Sequence, residues 1–165
     1  MKKFSLLVAT LVVATGLYGC SSNETSVNED VTVQENESKM TLKEIATKFG
    51  EEGYIRMPLE ITEVEATEVY HVNPEIVEEY AISITGIQPG PGFALMMQAK
   101  DGKVEEVKAI AEQVKEDLIG NAFYPQEVES AQNAEILVNG NHVALLVLNS
   151  EVAEDAIEVY KQAIK

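Results

Sequence analysis

The chain contains a single cysteine, Cys20, which closes the run Leu17-Tyr18-Gly19-Cys20 behind an apolar stretch that begins just after Lys2 and Lys3. With one thiol no internal disulfide can form, so the fold must be held by a hydrophobic core alone. A chain of 165 residues is long enough to build one such core in a single domain. A positive start, an apolar core from Phe4 to Leu17 and small Gly19 ahead of the cysteine follow the plan of a lipoprotein export signal. Tyr18 departs from that plan, which favours a small or β-branched residue there. Phe4 to Leu17 is shorter than the roughly 20 apolar residues a spanning helix needs, which argues against a membrane span. Residues 1–19 are therefore expected to be a signal peptide cut between Gly19 and Cys20. Cys20 is expected to carry a diacylglyceryl anchor, each buried methylene contributing about 0.8 kcal/mol. Its sulfur would then be consumed in a thioether and lost to redox or nucleophilic chemistry. The expected location is the cell membrane, lipid-anchored on its extracytoplasmic face.

Charge narrows the partners. Twelve basic residues face 28 acidic ones, a net charge of −16, and loss of Lys2 and Lys3 on cleavage would bring it to −18. Such a surface repels nucleic acid and anionic headgroups, so neither a nucleic-acid groove nor an electrostatic membrane patch is expected. Residues 20–39 (CSSNETSVNEDVTVQENESK) have no aromatic residue and few apolar ones, a composition that cannot bury a core. Beyond the lipidated Cys20 they read as an acidic tether, long enough to hold a folded part roughly 25 Å from the bilayer.

Residues 40–165 read as one domain. Thr41-Leu42-Lys43-Glu44 is a capping-box pattern, with Leu42, Ile45, Ala46 and Phe49 on one helical face and Gly50 and Gly53 as stop signals. From Ile61 to Tyr80, glutamates mixed with Val64, Val69, Ile76 and Val77 predict two short helices broken near His71, the second opened by Asn73-Pro74. The period then changes to two. Ile82 and Ile84, and after a Pro-Gly loop Phe93, Leu95, Met97 and Ala99, alternate as in two strands. Val104, Val107, Ala111, Val114 and Leu118 form one helical stripe. Ile136 to Val138, the turn Asn139-Gly140-Asn141 and the apolar run Val143 to Leu148 signal a hairpin whose second arm is a central strand. Val152, Ala156, Tyr160 and Ala163 predict a closing helix. The fold class is α+β: a small antiparallel sheet in ββαββα order with helices packed on one face, preceded by short helices. The two ββα units look alike, but strand-helix units generally do, so no duplication is inferred.

Tyr70, Asn73-Pro74, Glu79-Tyr80, the Lys100-Asp101 turn and the hairpin Gly140-Asn141-His142-Val143 carry a resemblance. From Val69 to the C-terminus the chain resembles the DUF4358 family of bacterial lipoproteins. The resemblance implies the layout read above, a lipobox, a polar tether and one small domain, and the outer face of a Gram-positive cell membrane. It brings no catalytic residues with it.

Chemistry-bearing motifs are few. His71 and His142 are the only histidines, without a ligand partner at metal spacing, so no metal or cofactor is expected. His71 reads as a polar residue at a helix break and His142 as one at a hairpin tip. Glu51-Glu52, Glu78-Glu79 and Glu105-Glu106 are sequence neighbours, which on a helix point apart, and read as solvated faces. Gly86-Ile87-Gln88-Pro89-Gly90-Pro91-Gly92 lacks a phosphate-cradling context, and its prolines remove amide donors. It reads as a hairpin connection in which Gly86, Pro89, Gly90, Pro91 and Gly92 are the candidate contact residues. Of Met96 and Met97, on opposite faces of a strand, core packing accounts for the inward one. The expected function is a membrane-tethered binding or interaction module for an envelope protein or cell-wall ligand. The competing expectation is a small envelope hydrolase whose carboxylates meet only in three dimensions and have raised pKa values.

Overall fold

The computed structural model describes residues 39–165. The signal peptide, the cleavage and lipidation positions Gly19 and Cys20, and the tether up to residue 38 lie outside the described residues.

Helix α1 (Leu42–Glu51) opens with the capping box its sequence predicts: the Glu44 N–H donates to the Thr41 hydroxyl, and the Thr41 N–H donates to the Glu44 carboxylate. The same device recurs at Thr62 and Glu65, which start α2 (Glu63–Glu68) after a three-residue strand, β1 (Pro58–Glu60). The helix expected after Asn73-Pro74 does not form. The Ile76 and Val77 N–H groups both return to the Asn73 carbonyl, but the turn ends there because Val77 enters the ladder opposite Ala99 and begins β2 (Val77–Thr85). The sheet outbids a single helical turn, as it does whenever β-branched residues can pair and bury.

The remaining elements are β3 (Phe93–Ala99), α3 (Val104–Asn121), α4 (Pro125–Asn133), β4 (Ile136–Asn139), β5 (His142–Val147) and α5 (Ser150–Ala163). Pairing is antiparallel throughout and the strand order is β1-β2-β3-β5-β4. Gly140, at φ 58°, takes the left-handed conformation that the tight β4–β5 turn requires.

The α+β class and the antiparallel sheet agree with the sequence, and β5 is a central strand as expected. The helices, expected on one face, are divided between both. On one face Phe93, Leu95, Met97, Val143, Leu145 and Val147 pack with Val107, Ala111 and Val114 of α3 and Ala131 of α4. On the other, Ala94, Met96, Ala144 and Leu146 pack with Leu42, Ile45 and Phe49 of α1 and Ala156 and Tyr160 of α5. Met96 and Met97 are therefore both core residues. The reason is visible in β3 and β5, whose near-continuous apolar runs need cover on both sides. The resemblance of the two ββα units stops at the same point. A local two-fold normal to the sheet would place α3 and α5 on one face, and they lie on opposite faces.

Candidate functional site

The Pro-Gly loop joins β2 to β3 as the expected hairpin connection, and polar contacts fasten it at three points. At its base the Gly86 N–H donates to the Met57 carbonyl (2.9 Å), an approach so close that a Cβ on Gly86 would lie 2.9 Å from the same oxygen. Thr85, only 6% exposed, donates its hydroxyl to the Arg56 carbonyl (2.7 Å) and accepts the Ile87 N–H (3.2 Å), while its own N–H donates to the Gly92 carbonyl (2.7 Å). At the tip the Gly90 N–H donates to Glu127 Oε1 on α4 (3.1 Å). The peptide between Gln88 and Pro89 is cis.

Pinned in this way, the loop walls a groove of about 430 Å³ at the end of the sheet. Its floor is apolar: Ile84 and Phe93 from the β2–β3 hairpin, Val147 from β5, Val114 and Leu118 from α3, and Ala131 from α4. Tyr70 closes one side, its ring 5.5 Å from that of Phe93. Burial raises the Tyr70 phenol above its ordinary value, helped by the nearby Glu65 carboxylate.

The polar rim centres on His71, which follows α2 with φ 56°, a left-handed conformation that histidine adopts more readily than most residues. Its Nε2–H donates to Asp117 Oδ2 of α3 (2.9 Å), and Gln113 Nε2 donates to Asp117 Oδ1 (2.9 Å). The hydrogen bond from His71 and then that from Gln113 hold the Asp117 carboxyl below its usual range. Gln88, Asn121 and Glu127 complete the rim. The Thr85 hydroxyl also borders the groove but is committed to the Arg56 carbonyl. The arrangement suits recognition: a desolvating floor with a few fixed polar groups at its edge.

A wider groove of about 820 Å³ lies on the other side of the same loop, bordered by Tyr54, Arg56, Asn133 and Asn149. Gly90 and Pro91 line both grooves, Pro89 the wider and Gly92 the narrower. Gly86 lines neither and serves as the loop's foot.

His71 is thus at the groove, whereas His142 begins β5 opposite Gln98, with burial, then the charge of Lys39, lowering its pKa. Among the described residues no group of three or more His, Cys, Asp or Glu side chains could hold a metal ion. Of the neighbouring glutamates, Glu79 is more than a solvated side chain, because its Oε1 accepts the Leu42 N–H at the start of α1 (2.8 Å). Sequence reasoning missed Tyr70, Asp117 and Glu127 as groove residues. Asp117 is 46 residues from His71 and sits on a helical face with no local signal of its purpose.

The domain family DUF4358, described as a domain of unknown function, matches residues 51–148, which run from the end of α1 through β5. No curated protein and no solved structure matches the chain.

Proposed function

The chain belongs to the DUF4358 family, and from that premise we propose that it is a membrane-anchored extracytoplasmic binding module whose ligand seats in the groove beside residues 86–92. The observation that carries this reading is the groove itself, apolar at the floor, polar at the rim and walled by a fastened loop. Among the described residues no helix is long and apolar enough to cross a membrane, so the proposed attachment rests on lipidated Cys20 and the tether. Against the hydrolase alternative, the two groove carboxylates are already engaged apart from one another: Asp117 accepts from His71 and Gln113, and Glu127 from the Gly90 N–H.

Metabolic labelling with an alkynyl palmitate analogue tests the anchor. Label in the wild type and none in Cys20→Ala is expected; equal labelling of the two refutes it. For the groove, a photoreactive benzoylphenylalanine is placed in the full chain at Gln88 and, separately, at exposed Glu158 on α5. Discrete adducts in cells from position 88, absent from position 158 and lost when Asn121→Trp obstructs the groove, are expected. Identical adducts from both positions, or none from position 88, overturn the assignment.

A further inference from the structure

The charges around the narrower groove all have one sign. Asp117 and Glu127 line it, and Glu65 is near enough to Tyr70 to act on its phenol. Among the described residues no lysine or arginine lines it, and the one basic side chain there, His71, already gives its Nε2–H to Asp117. Glu127 uses Oε1 to hold the Gly90 N–H, and among the described residues no partner takes Oε2. The Tyr70 ring, which also lines the groove, adds a π-face that favours a cation. An anionic ligand would meet the Asp117 and Glu127 carboxylates with only the neutral donors of Gln88, Asn121 and Tyr70 to offset them, and a second copy of this chain at −16 or an anionic bilayer would be repelled as well.

Apolar surface continues beyond the cavity. Val69, itself a lining residue, is 54% exposed, and Phe123, which follows the lining residue Ala122, is 87% exposed. A compact molecule filling about 430 Å³ would leave these side chains wet, whereas an extended chain crossing the mouth would cover them.

We propose that the groove takes an apolar peptide segment of a partner envelope protein, with a lysine or arginine side chain set against Asp117 and Glu127. This assignment rests on the groove being the binding site. The apolar residues of the segment fill the floor over Phe93, Val114 and Leu118, and its cation supplies the positive charge that the rim lacks.

The test uses the full chain in a non-ionic detergent and three end-capped peptides sharing an apolar frame of leucine, valine and phenylalanine. They differ only in a central lysine, glutamine or glutamate. Calorimetric titration is expected to rank lysine above glutamine by about tenfold, as one charge-assisted contact gives, with glutamate weakest. The lysine advantage should shrink as salt is raised. Asp117→Asn should bring the ratio of lysine-peptide to glutamine-peptide affinity close to one, whatever it does to both affinities together; a ratio that stays near tenfold would overturn the contact to Asp117. Equal affinity of all three, lost with Asn121→Trp, overturns the basic side chain while leaving the groove as the site. Binding of none of the three overturns the peptide as occupant, and the adducts from Gln88 then decide separately whether the groove binds anything.

Discussion

Tyr160 offers the sharpest quantitative test of the packing. It lies on α5 in the core layer formed with α1, is 1% exposed, and its hydroxyl is the one buried side-chain polar atom among the described residues that lacks a hydrogen-bond partner. A buried, unpaired hydroxyl costs about 1–3 kcal/mol relative to its hydrated state in the unfolded chain. Tyr160→Phe removes that cost and keeps the ring, at the expense of a few dispersion contacts of about 0.1–0.2 kcal/mol each. A net gain of about 1–2 kcal/mol is expected. Urea denaturation reads it as a midpoint shift of about 0.5–1 M for a slope near 2 kcal/mol/M. A second signature comes from ionisation. Burial raises the Tyr160 phenol above its ordinary value of 10.0, so the unfolded chain deprotonates first and wild-type stability falls as pH rises past that value. Phenylalanine has no proton to lose. The advantage of Tyr160→Phe should therefore be constant below pH 10 and widen above it by about 1.4 kcal/mol per pH unit. A variant less stable than wild type would refute the claim that the hydroxyl is unpaired, and a gap that stays flat above pH 10 would refute its burial.

Three further outcomes follow from the geometry. Gly92→Ala places a Cβ 2.7 Å from the Thr85 Cβ and should cost about 1–3 kcal/mol by overpacking, read as a lower urea midpoint; an unchanged midpoint would show that Thr85 is not fixed by its contacts. Gly120→Ala, in the exposed last turn of α3 with nothing within 4 Å of the new Cβ, should instead stabilise by about 0.5–1 kcal/mol, and a loss in thermal melting would contradict the open space there. Glu44 and Glu65 have pKa values lowered by backbone and then side-chain hydrogen bonds from their capping threonines, and that of Asp117 is lowered chiefly by His71. The stability they add is present above the unfolded carboxyl range and lost as pH falls through the folded values. Thr62→Ala should remove about 1 kcal/mol at neutral pH but flatten the acid limb only in part, because the residue-62 N–H that lowers Glu65 most is kept; stability equal to wild type at neutral pH would count against the second capping box.

Much of the scaffold could be read from local chemistry. Thr41 and Glu44 announce α1, the stripe from Val104 to Leu118 announces α3, and the unbroken run Val143 to Leu148 announces a strand inside the sheet. What escaped depended on contacts between distant parts of the chain. Val77 to Tyr80 looked helical because its glutamates obscure the alternation, and only pairing with β3 makes it a strand. The sequence PQEVESAQN of α4 carries too few apolar residues to show a period, although Pro125 at the first helical position was a usable start signal. The groove was half legible: the Pro-Gly loop stood out by composition. Asp117 and Glu127 did not, because each becomes a rim residue only when α3 and α4 are laid against the sheet.

Gly90 and Pro91 separate two grooves as one thin partition, held at its tip by the single bond to Glu127. Space gained by one groove through movement of that partition is space taken from the other. Occupancy on the two sides would then be linked with negative sign, each ligand weakening the other by the same factor.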